Sequence, residues 1–336
     1  DEFASRTPVE TIHSGPAASA IGGRFLSRLD DALVLDVGGT TTDLALIKDG
    51  EVTVSEEGAT VGDYQTAVSA ADLFSVALGG DSHITLGRDN HIALGPERVV
   101  PLAHLAVDYP KVKNRLQALS RRNWTETSPD WLEYWFLLRE PGDEHHAEEE
   151  RLQQSTHARR LVEFLRSGPK PVPEIVDHLD VLHVAQIDVD ELWREEILGK
   201  SGLTPTDLLH VEGRYCPWDT EAAELALQVF SHYQFKEPDD IREKVWRQAV
   251  EMIVHAVVTF LSKQTLTPPT ETRSQGEDDI GRWFFFNSIY NTHPHLETLF
   301  RLREPIVGIG APADFFLEEV AQALNAELIL PEHYAV

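Results

Sequence analysis

The sequence predicts an α/β fold with a mixed sheet that carries a largely helical, winged-helix-like insertion. Three observations predict it. Two β-rich apolar runs flank a Gly-Thr turn at 33–47, and a strand-turn-helix-strand pattern occupies 305–330. Between them, from about 110 to 275, strand-like runs give way to charged, helical periodicity.

In chain order, the first readable element is the run from Ser14 to Gly23. Pro16 suits a first helical turn, and the Ala- and Gly-rich residues after it make a helix able to pack very closely on a neighbour. Next comes the hairpin Leu33–Ile47. Gly38 and Gly39 are expected to allow unusual backbone conformations, positive φ included, and close approach of a phosphate. Thr40, Thr41 and Thr42 add hydroxyl donors. Asp36, at the end of the first run, would repel phosphate directly, so it is expected either to hold hydrated Mg²⁺ or to orient an attacking water, and Asp43 could do likewise from the other side.

Gly79, Gly80, Asp81 and Ser82 then precede a run, Ile84 to Leu94, that reads as a hairpin turning at Gly87 to Asn90. A carboxylate at Asp81 could bind Mg²⁺, or the loop could be structural. In the insertion, helices are expected at Ala158–Leu165 and Glu174–Leu179 around a Gly-Pro-rich turn at 168–173, with another starting near Thr204 or Thr206. The longest helix is expected over about 240–261, because Ile241, Val245, Ala249, Ile253, Val257 and Leu261 recur every four residues. The tail reads as a buried strand from Pro305 to Gly310, a helix start at Ala311–Pro312 and a last strand at Glu327–Leu330. Gly308, Gly310, Ala311 and Pro312 would thus bring a strand end against a helix N-terminus.

Composition limits the function classes. The 336 residues carry a formal net charge of −27, which argues against nucleic acid and against an anionic membrane surface as partners. The single cysteine, Cys216, excludes an internal disulfide framework and points to the cytoplasm; it reads as a partly buried, unreactive thiol. Of the fifteen histidines, His145 and His146 read as part of a solvated acidic loop, and the pairs His178/His183 and His293/His295 lack a clear helical ligand spacing.

Ser14-Gly-Pro-Ala-Ala, the segment from Asp36 to Asp43 and Gly79-Gly-Asp-Ser82 together resemble the hydantoinase/oxoprolinase family, specifically its A-subunit-type domain, within the actin-like ATPase superfamily. The resemblance implies an actin-like (ribonuclease H-like) ATPase lobe. The segment 1–24 would be the connecting helix, 25–110 and 276–336 the two parts of the lobe, and 111–275 the insertion. It also implies ATP and Mg²⁺ as cofactors. Phosphate would lie at Gly38 to Thr42 and near Gly79, Gly80 and Ser82, and adenosine near Gly308 to Pro312. Catalysis would fall to Asp36 and Asp43, and Mg²⁺ to Asp36 and Asp81. The implied activity is ATP-dependent opening of a small cyclic amide, the alternative being an ATPase switch acting on a protein partner. Further implied partners are an N-terminal lobe of the same polypeptide, preceding Asp1, and a second subunit. Without that lobe the chain is expected to bind nucleotide weakly and hydrolyse it hardly at all.

Overall fold

The computed structural model describes residues 14–55, 60–61, 64–65, 70–87, 90–141, 156–263 and 280–335. The chain forms two compact units, one of residues 1–80 and 246–336, the other of residues 81–245. The composition of the sequence predicts borders of the insertion at 110/111 and 275/276.

The first unit opens with α1 (Ser14–Ser27), β1 (Ala32–Val37), β2 (Thr42–Lys48), β3 (Glu51–Val52) and β4 (Leu73–Val76). Two short antiparallel ladders, 54–55 with 70–71 and 60–61 with 64–65, lie between β3 and β4. The β2–β3 turn is the two-residue Asp49-Gly50, both at positive φ, which is the twist-compatible hairpin connection.

The second unit contains β5 (Ser82–Leu86), β6 (Ile92–Arg98), β7 (Val100–Pro101), α2 (Leu102–Asp108), α3 (Lys111–Ser120) and β8 (Tyr134–Leu137). Then follow α4 (Thr156–Leu165), β9 (Lys170–Pro171), α5 (Val172–Leu179), β10 (Leu198–Gly202), α6 (Pro205–Val211) and α7 (Thr220–Gln234). β5 and β6 pair as the expected hairpin, and the helices surround a small sheet of order β7-β10-β8-β9. Leu161, Leu165, Ile175, Leu179 and Trp135 pack in one buried cluster, which explains the apolar spacing of α4 and α5. Thr204, rather than Thr206, caps α6, in a reciprocal capping box with Asp207. Cys216 is exposed, in contrast to the partly buried thiol expected; its Sγ lies 3.6 Å from the His210 carbonyl.

The long helix α8 (Pro238–Ser262) carries the chain back to the first unit, which closes with α9 (Ile280–Tyr290), β11 (Ile306–Ile309), α10 (Ala313–Ala323) and β12 (Leu328–Ile329). The main sheet has the order β12-β11-β1-β2-β3, with β4 also on β2. β1, β11 and β12 run parallel, and β2 is antiparallel to β1, β3 and β4. This mixed arrangement, with the antiparallel hairpin first and the parallel strands returning beside it, is the actin-like (ribonuclease H-like) topology.

β1 is buried on both faces, as its unbroken apolar run requires. One face holds Val34 and Val307 in a cluster with Ala32 and Ile47. Gly23 of α1 lies against that face so closely that a Cβ there would sit 2.9 Å from a Val34 methyl, which is why this helix needs small residues. On the opposite face, a Cβ on Gly308 would come within 2.8 Å of Leu317 on α10.

Candidate functional site

The site assembles in the first unit, at the C-terminal end of β1. Asp36 is directly opposite Asp43 on β2, and Asp43 is directly opposite Ser75 on β4. Opposed residues project to the same face, so the two carboxylates and the serine form a row across three strands. The carboxylates differ in their engagement. Asp43 accepts from the Ser75 hydroxyl and, at 3.3 Å, from the Thr41 hydroxyl. Asp36 is half-buried and receives no hydrogen bond and no ion pair among the described residues.

Past β1, the Gly38 N–H donates to the Thr41 carbonyl at 2.8 Å and closes the turn. Neither Gly38 nor Gly39 takes a positive φ, which corrects the expected reason for glycine here. Crowding instead accounts for the glycine that packs on the turn. Gly79 lies flat on the turn: a Cβ on it would stand 2.4 Å from the Gly38 carbonyl oxygen and 2.5 Å from the Gly39 carbonyl carbon. The Gly80 N–H donates to that same Gly38 oxygen at 3.1 Å. Gly79 and Gly80 therefore brace the turn from behind.

The three threonines separate by role. Thr42 is fully buried and its hydroxyl donates to the Leu78 carbonyl at 2.8 Å, tying the 78–80 loop to β2. Thr41 serves Asp43, whereas Thr40 is exposed at the tip of the turn with no committed hydroxyl bond among the described residues.

The returning strand completes the rim. Gly310, at φ +94°, passes so close to β1 that a Cβ would be 2.1 Å from the Val37 carbonyl and 2.9 Å from the Asp36 Oδ1. Its N–H donates to the Tyr334 carbonyl at 2.7 Å, and its carbonyl accepts from Ala313 at the start of α10. Ala311 and Pro312 follow at the surface, and α10 begins there without a side-chain cap. Gly308 is placed in the core between sheet and helix, where its smallness serves packing. Ser75 and Tyr334 carry no local sequence signal; strand register and the tail's return bring them here.

Asp81 and Ser82 belong to the second unit. Asp81 Oδ2 accepts from Nε and Nη2 of Arg98 at 3.2 and 3.1 Å, and its Oδ1 lies 3.4 Å from the Thr206 hydroxyl. Ser82 is buried at the start of β5. Among the described residues no group of three or more His, Cys, Asp or Glu side chains is arranged to hold a metal ion, and no helix is long and apolar enough to cross a membrane. The residues 142–155, with His145 and His146, lie outside the described residues.

No curated protein matches the chain. Among solved structures, the nucleotide-free structure of acetone carboxylase, reported under the mechanism of ATP-dependent acetone carboxylation, is similar at a TM-score of 0.49 and 13% identity. The similarity covers 96% of this chain and 30% of that one, so the chain spans under a third of that protein's length. The profile of the hydantoinase/oxoprolinase family matches residues 2–109. The matched residues include α1, the Asp36–Asp43 hairpin and the bracing Gly79-Gly80 loop, so the chain is similar to that family over the part that carries the candidate phosphate turn.

Proposed function

We propose that the chain is the nucleotide-binding part of an ATP-dependent hydrolase that opens a cyclic amide. The observation that carries this is Asp36: an unengaged, half-buried carboxylate directly beside a second carboxylate, at the mouth of a Gly-Thr turn. Like charges placed directly opposite on a sheet destabilise it, so a fold that keeps them has a use for both.

The donor set fits Mg²⁺, which takes hard carboxylate oxygens from one or two side chains and keeps several waters. Asp36 and Asp43 would hold it; Asp81, engaged by Arg98, is left out. When bound, Mg²⁺ neutralises charge on the phosphates. The turn presents the Gly39 and Thr40 backbone and the Thr40 hydroxyl to the phosphate, while Gly79 and Gly80 keep that backbone in place behind it. Ser75 and Thr41 fix the orientation of Asp43. Gly310 to Pro312 and the uncapped start of α10 lie on the adenosine side of the site.

The chemistry has a reason to need ATP. Amide resonance makes an unactivated ring carbonyl a poor electrophile. Transfer of the terminal phosphoryl group to the amide oxygen, with ADP leaving, makes the carbon accept water; the ring C–N bond then breaks and phosphate departs. A nucleotide site of this superfamily closes between two lobes, so turnover is assigned to the longer polypeptide, together with any second subunit. The working place of the protein is assigned to the cytoplasm.

The test is ATP turnover by that longer polypeptide with hydantoin or 5-oxoproline. Stimulation by either supports the reading. Stimulation by a protein partner, with both rings inert, would favour an ATPase switch instead.

A further inference from the structure

The second unit has a cleft of about 660 Å³ that the nucleotide site does not use. It lies between the start of α3, the end of β8, the turn after α4 and β9, and its size falls in the range of small-molecule sites. Five cations line it, Lys111, Arg115, Arg139, Arg166 and Lys170, against two carboxylates, Asp108 and Glu140. A cationic concavity is the reverse of what a chain of net charge −27 provides elsewhere.

The cations divide by engagement. Arg166 is committed to Glu140 at 3.2 Å and Glu163 at 2.6 Å. Arg115 meets Glu174 at 3.1 Å and the Pro169 carbonyl at 3.3 Å, and Arg139 donates to the Glu195 carbonyl at 2.9 Å. Lys111 and Lys170 form no ion pair among the described residues. The Lys170 ammonium sits 4.8 Å over the Phe164 ring. Burial holds it below the ordinary lysine range, and the nearby Arg115 and Lys111 push it the same way. Cations that repel one another around a concave, partly apolar wall, here with Phe136 and Leu165 buried behind them, are relieved by an anion, and the cleft focuses their field on it.

We propose that this cleft binds a small, multiply charged oxyanion, a phosphate ester or a polycarboxylate, neutralised chiefly by Lys111 and Lys170. The proposal stands apart from the nucleotide site. Its test is calorimetric titration of the whole chain, at low salt and without Mg²⁺, with pyrophosphate and separately with citrate. The wild type is expected to bind at least one of the two, the tighter one identifying phosphate or carboxylate as the natural group. Lys111→Gln with Lys170→Gln is expected to weaken binding at least about tenfold at unchanged melting temperature. The double arginine variant is expected to restore binding, and Gly39→Val to leave it intact. Binding that survives the double glutamine variant, binding that Gly39→Val removes, or no binding of either anion at millimolar concentration would overturn the proposal.

Discussion

At Asp36 the interests of stability and of the proposed activity oppose each other. Replacing it with Asn removes a like-charge pair with Asp43 without changing size, so Asp36→Asn is expected to raise stability by about 0.5 kcal/mol in metal-free buffer. The same variant is expected to lose any stabilisation by Mg-ATP; thermal melts with and without Mg-ATP check both. Glycine positions give a second pair of expectations. Gly79→Ala forces a Cβ into the backbone of the Gly38–Gly39 turn and is expected to cost about 1–3 kcal/mol. Gly22→Ala, in the interior of α1 with nothing within 4 Å, is expected to stabilise by about 0.5–1 kcal/mol. Denaturant unfolding of the two variants separates a glycine held by crowding from one that only lowers helix propensity. Crowding of this kind was not legible in the sequence, because the residues concerned are about forty positions apart and only the fold stacks them. The paired carboxylates were legible in outline, since Asp36 and Asp43 flank the turn in the sequence, but Ser75 as the third member of the row depends on strand register.

Asp207 joins two elements. Its carboxylate accepts from the Thr204 N–H and hydroxyl at the start of its own helix α6, and from the Leu102 and Ala103 N–H groups at the start of α2. Asp207→Ala leaves three buried N–H donors without this acceptor and is expected to destabilise the chain by about 3 kcal/mol, measured by urea unfolding. Burial pushes the Asp207 carboxyl up to about 6 from its ordinary 3.8, against the lowering effect of those hydrogen bonds. Across that window the native chain keeps a proton that the unfolded chain has released. Its contribution to stability is therefore full below about pH 3.8 and lost as pH rises through about 6. Asp207→Asn cannot titrate, so the stability of wild type relative to this variant is expected to fall between pH 4 and pH 7, by up to about 3 kcal/mol. A cap was legible at 204–206, since Thr-Pro-Thr-Asp is a helix-start pattern; that the same carboxylate also caps a helix a hundred residues earlier was not. The Asp49-Gly50 hairpin turn is a plain local signal in the sequence.

On the scale of the whole chain, the formal charge of −27 makes self-repulsion a general cost of compactness. Added sodium chloride is expected to raise the melting temperature from its low-salt value, by screening, before any specific ion effect appears. Strand and helix order in the lobe was legible because buried strands and amphipathic helices write their periods locally. The sheet of the second unit was not, because β7 and β9 are two residues long and β10 contains two glycines and a lysine. Only their neighbours make them strands.

That the Asp36–Asp43 hairpin holds the phosphates of a nucleotide is checked by calorimetric titration of Mg-ATP and Mg-ADP into this chain and its Gly39→Val variant. Binding to the wild type is expected to be weak but measurable, and lost in Gly39→Val at unchanged circular dichroism. Equal binding by the two chains, or none by the wild type at millimolar nucleotide, would contradict it.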